Sequence, residues 1–239
     1  MLISHERKFI FIHVPKAAGT SVQGALNSLG SQPSRCLANR LMIGAGLKAT
    51  KWKPTGWQRF GEHATAKHVR SCLGRAQYEM YFTAAFVRNP WDWLVSRYHY
   101  DLQTPTLRRH ERVKQLGSLA AFAEYEAAKG SSQHRFVANA QGRVIVNFVG
   151  RFERLEEDFD RLCEKLNVDV RLPKLNASNH RPYQAHYNGA TRRLVERLFA
   201  QDVAMFEYTF DERRRAVNAE REIDSHIPAL ERHGLQVAV

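Results

Sequence analysis

Three stretches of the chain are apolar at nearly every position, without the alternation of a half-wet strand: residues 8–14 (KFIFIHV), 80–87 (MYFTAAFV) and 144–149. Runs of this kind, rich in β-branched and aromatic side chains, predict strands buried on both faces, as in a parallel sheet. Between them the apolar positions recur at helical spacing. A helix is predicted from Thr20 and Ser21, as caps, to about Leu29, where Gly30 stops it. Others are predicted over 64–72, over 91–102 with Trp91, Leu94, Val95 and Tyr98 inward, and over 116–129, ended by Gly130. The clearest amphipathic pattern is 154–166, where Leu155, Phe159, Leu162, Cys163 and Leu166 form one stripe, and a last helix covers 191–206. Residues 31–61 and 171–188 are rich in Gly, Pro and polar residues and read as loops.

Strands separated by helices imply parallel pairing through right-handed crossovers, hence an α/β fold: a three-layer α/β/α sandwich around a central parallel sheet. Residues 1–210 form the expected domain, and 211–239, opening on a charged ERRR run, a helical extension and tail. In such folds ligands gather beyond the carboxyl ends of the strands, here just after Val14, Val87 and Val149.

Composition narrows the classes. A 44% hydrophobic and 25% charged chain of 239 residues is neither disordered nor fibrous. Lys and Arg number 36 against 24 Asp and Glu, a net +12, which favours anionic partners: nucleic acid, nucleotide or acidic glycan. Cys36, Cys72 and Cys163 have no zinc-ligand spacing, so a reducing compartment and no metal are expected. The first apolar run contains His13 and ends at Pro15, too short for a signal peptide, and no segment reaches the roughly 20 apolar residues of a membrane span. A cytoplasmic protein with no integral membrane segment is the expectation.

The chemistry concentrates at two strand-to-helix junctions. In FIHVPKAAGTS, a small-residue turn, a lysine and two hydroxyls lie where unpaired N–H groups and the positive helix end favour an anion. Gly19 allows close backbone approach, and Lys16 is a mobile cation. The motif is not a Walker A loop: with Gly19 as its second glycine, Val14 stands at the first and Thr20 at the lysine. In FVRNPWDWLVSRYHY, Arg88 ends the second strand and Ser96 follows eight residues on, in the next helix.

Together these motifs resemble the PAPS-dependent sulfotransferases, above all the carbohydrate and heparan sulfate branch, over about residues 9–210 in motif order. The resemblance implies a P-loop NTPase-like sulfotransferase fold and a sulfuryl transfer from 3′-phosphoadenosine 5′-phosphosulfate (PAPS), without metal, to an acceptor hydroxyl, with a carbohydrate expected. It implies that Pro15, Lys16, Ala18, Gly19, Thr20 and Ser21 hold the 5′-phosphosulfate, with Lys16 at the bridging oxygen. Arg88 and Ser96 would grip the 3′-phosphate, and Arg97 and Arg108 could also serve or simply face solvent. A histidine titrating near neutrality suits the proton transfer. The branch places one in a segment comparable to GEHATAKH, so His63 is the expected base, with His68, His13 and Glu62 as alternates. The stretch VGRFERLEEDFDRL also resembles the family, its Glu156, Glu157 and Asp158 being an acidic first turn. LPKLNASNHRPY resembles the family's nucleotide-covering loop, making Lys174, Asn176, Ser178 and Arg181 candidate contacts or an ordinary connector. The expected partner is the acceptor, with no nucleic acid. The rivals are a basic nucleic-acid-binding domain, a P-loop kinase and a catalytically silent scaffold of the same fold.

Overall fold

The computed structural model describes residues 1–29, 60–173 and 181–211. A mixed α/β fold is built on a four-stranded sheet in the order β1-β2-β3-β4, formed by Leu2–Ser4, Phe9–Ile12, Phe82–Val87 and Phe148–Arg151. The strands β2, β3 and β4 are parallel, in the register Phe11↔Ala84 and Phe86↔Gly150. Strand β1 returns antiparallel on β2. That three-residue strand is not foreseen in the sequence, being too short to show a period.

The helices are α1 (Gly19–Ala25), α2 (Ala66–Leu73), α3 (Arg75–Glu79), α4 (Pro90–Gln103), α5 (His110–Leu116), α6 (Leu119–Ala128), α7 (His134–Val137), α8 (Leu155–Leu166), α9 (Gly189–Leu198) and α10 (Ala200–Met205). Alternate residues of β2 and β3 enter two separate apolar clusters. Ile10, Ile12, Ala85 and Val87 pack with Trp91, Trp93, Leu94, Phe122, Val195 and Phe199, whereas Phe9, Phe11, Ala84 and Phe86 pack with Val22, Leu26, Phe159 and Leu162. Helices thus cover both faces of the sheet, which explains why its strands are apolar at successive positions. Gly150 lets β4 close on β3, since a Cβ there would lie 2.4 Å from the Phe86 ring. Among the described residues no helix is long and apolar enough to cross a membrane.

Several predicted boundaries shift. The third strand begins only at Phe148: Val144 forms an isolated bridge to Ala138, and Asn147 joins Thr83 of β3 through backbone and side chain, its N–H donating to Thr83 O at 2.9 Å and its Oδ1 accepting from Thr83 N at 2.8 Å. The helix predicted over 116–129 runs only over Leu119–Ala128: Leu116 ends a separate helix, Gly117 turns left-handed (φ 66°), and Ser118 caps the next by accepting from Ala121 N. The predicted 191–206 helix starts earlier, capped by Asn188, and breaks at Phe199, whose ring packs on Trp93 at 5.8 Å between centroids. Helix α1 gives way to a 3₁₀ turn over Asn27–Leu29. The tail from 212 onward and most of the predicted loop 31–61 lie outside the described residues.

Candidate functional site

After β2 the chain makes a turn in which two non-glycine residues are left-handed, Lys16 (φ 63°) and Ala18 (φ 59°). Each costs roughly 1 kcal/mol or more, and such strain persists where the surrounding structure enforces it. Ala18 is the helix cap and offers no side-chain acceptor, so α1 starts at Gly19; Thr20 and Ser21 lie within its first turn and do not cap it as the sequence suggested. The first helical hydrogen bond is Val22 N to Ala18 O, which leaves the N–H groups of Gly19, Thr20 and Ser21 without a helix carbonyl.

The second junction pins this loop. Trp93 Nε1 donates to Pro15 O at 2.8 Å, and Arg88 Nη1 approaches Lys16 O at 3.4 Å. The two motifs, about seventy residues apart in sequence, are therefore neighbours at the carboxyl ends of adjacent strands. The Lys16 side chain is half-buried with its ammonium 3.9 Å from the Tyr100 ring centroid. Burial first, and then Arg88, lower its pKa; Asp101 opposes this and Arg97 adds to it.

Arg88 is only 4% exposed. Its Nε donates to Asp92 at 2.7 Å, one turn into α4, and its guanidinium lies 3.9 Å from the Phe152 ring centroid. Its backbone is held at both ends by the Gln133 side chain, at 2.8 and 2.6 Å, and Gln133 N in turn donates to the buried Asp202. Next door, Asn89 caps α4 with Pro90 at its first position, and Asn89 N donates to Glu153. Burial raises the Glu153 pKa, although that backbone bond favours the charged form. Ser96 is buried in α4, and no hydrogen bond of its hydroxyl is seen among the described residues. Of the two further cations, Arg97 turns into the core, paired with Glu126 at 2.5 Å, whereas Arg108 is exposed.

His63 sits in front of the end of β2, its Nδ1 3.1 Å from His13 O. A carbonyl can only accept, so Nδ1 carries the hydrogen and the neutral ring keeps its lone pair on Nε2, the atom a general base uses. His13, an alternate in the sequence, is 4% exposed and edge-on to His63 at 4.7 Å. Burial above all, with His63 acting in the same direction, pushes its pKa down to about 4, despite Glu62 at 3.5 Å. Gly19 has a structural reason as well: a Cβ there would lie 1.9 Å from His13 Cδ2, so the glycine makes room for this imidazole. His13, Thr20, Gln23, Gly24, Asn27 and Glu62 line a cavity of about 210 Å³ against the loop. His68 lies one helical turn from Cys72, 3.8 Å from its sulfur, and against Phe60.

Asp158 accepts Arg151 N at 2.7 Å and anchors α8 rather than facing a ligand. Lys174, Asn176 and Ser178 lie outside the described residues, and Arg181 is exposed. Trp93, Tyr100, Gln133 and Asp202 were not singled out from sequence, and only the place of Trp93 and Tyr100 on the motif-bearing helix hinted at them.

The model of the sulfotransferase family matches residues 1–209. An uncharacterized protein of Archaeoglobus fulgidus is 30% identical over 121 residues, which is 47% of this chain and 93% of that relative. Both junctions, the His63 segment and the helices that brace them fall inside the family match, and the chain belongs to the sulfotransferase family.

Proposed function

We propose that the chain transfers a sulfuryl group from PAPS to an acceptor hydroxyl, a carbohydrate being the expected acceptor, on a three-layer P-loop-like scaffold with no metal. The donor supplies a sulfur already bonded to a good phosphate leaving group. The protein's task is then positioning and charge neutralisation. Lys16 forms no salt bridge with a described carboxylate, and the uncapped first turn of α1 adds N–H donors, a set that fits a phosphosulfate. Nε and Nη1 of Arg88 are already engaged, so this reading assigns its Nη2 and the Ser96 hydroxyl to the 3′-phosphate.

In the transfer, His63 Nε2 takes the acceptor proton as the acceptor oxygen bonds to sulfur. Lys16 neutralises the phosphate oxygen that departs with the electron pair of the broken S–O bond. A cytoplasmic location suits Cys163, a free thiol.

The observation that carries the reading is the contact between the two junctions through the carbonyls of Pro15 and Lys16. Calorimetric titration with the product 3′-phosphoadenosine 5′-phosphate (PAP) tests it. Binding at micromolar protein is expected, with AMP weaker by roughly tenfold or more for want of the 3′-phosphate. Silence with PAP, or equal affinity for both nucleotides, refutes the reading.

A further inference from the structure

The Lys16 ammonium sits in a crowd of cations. Arg88 acts on it from the end of β3 and Arg97 from α4, while Asp101, on the same helix and itself paired with Arg109 at 2.7 Å, acts the other way. Arg97 is tied to Glu126 of α6. No described carboxylate bridges to Lys16; what its charge meets is the face of Tyr100, at 3.9 Å from the centroid. Tyr100 is 43% exposed on the last turn of α4, and its backbone carbonyl is held by Thr104 Oγ1. It lies one helical turn beyond Ser96, on the same side of that helix.

We infer that Tyr100 is a positioning residue whose ring face holds the Lys16 ammonium, as a cation, at the donor loop. Burial and the charge of Arg88, with that of Arg97, disfavour the cation there against the opposing pull of Asp101, and the negative face of the ring adds to that pull at contact distance. A ring also does so without competing for the anion, as a carboxylate at that place would. Helix α4 thereby serves both junctions, through Trp93 and Tyr100 toward the first and Ser96 at the second. The role of Lys16 in transfer rests on the function proposed above, whereas its hold by Tyr100 does not.

The test measures the protonation of Lys16 directly: acetylation by acetic anhydride as a function of pH, read at Lys16 by peptide mass spectrometry. In Tyr100→Leu the midpoint should fall by roughly half to one and a half pH units, the worth of a partly desolvated cation–ring contact. Tyr100→Phe should keep the wild-type midpoint, and Tyr100→Trp should keep or raise it. An unchanged or raised midpoint in the leucine variant, a phenylalanine variant that behaves like it, or a drop with tryptophan overturns the inference. The tryptophan and phenylalanine arms decide the matter even if the leucine variant fails to fold. Adding PAP to the wild type separates the two readings. Protection of Lys16 supports handover of the cation to a donor, whereas loss of protection with the leucine shift intact sinks the donor reading and leaves the ring contact standing.

Discussion

The two junctions solve opposite problems. At the first, the backbone is strained at Lys16 and Ala18, the helix start is uncapped by any side chain, and the cation rests on a ring at the protein's edge. At the second, the backbone of Arg88 is held on both sides by Gln133, and its guanidinium is held by Asp92, Phe152 and the Lys16 carbonyl. The contrast teaches that the lysine loop is built to meet something, and the arginine junction to keep that loop in place. A buried arginine in a family motif is thus partly a brace, and its loss should be felt in the fold as well as in binding.

The contrast can be broken in order of expected effect. Arg88→Met leaves the Asp92 carboxylate buried and unpaired and frees the Lys16 carbonyl, so roughly 3–5 kcal/mol of stability should be lost, seen as a lower urea midpoint. A variant of unchanged stability that only loses PAP affinity would show Arg88 to be no brace. The next effect comes from acid. The folded pKa of His13, about 4, lies below its ordinary 6.5, so protonation favours the unfolded chain. This penalty is absent above about pH 6.5 and grows as pH falls toward 4, to roughly 3 kcal/mol at its limit. Urea titrations of wild type and His13→Gln across that window should converge in acid, and parallel curves would remove His13 as the cause. Smaller still is Gly19→Ala, whose new methyl meets the His13 ring, at a cost of about 1–3 kcal/mol. Pairing it with His13→Ala should recover part of that loss in a double-mutant cycle, and strict additivity would show that the glycine serves the loop's backbone instead.

What the sequence made legible was what local pattern encodes. The apolar runs around Ile10 and Ala85 announce strands covered on both faces, and the stripe of Phe159, Leu162 and Cys163 announces the helix that covers one of them. Breaks were harder. Gly117 and Ser118 hold the Ala-rich helix back to Leu119, and Asn147 adds side-chain bonds to its backbone bond with Thr83 that no periodicity reveals. The bracing of the site was not legible at all. Gln133 and Asp202 are ordinary polar residues until the chain crossing sets Gln133 against Arg88 and Asp202 behind Gln133, and no pattern shows that Gly19 also makes room for His13.

The pinned carbonyls of Pro15 and Lys16 carry one more consequence. In a trans peptide the oxygen and the following N–H point in opposite directions across one plane. Drawing those two oxygens toward the indole of Trp93 and the guanidinium of Arg88 therefore turns the amide hydrogens of Lys16 and Ala17 the other way. The turn sheds its repulsive lone pairs on one side and presents hydrogens on the other, so its polarity is fixed by peptide geometry before any lysine moves.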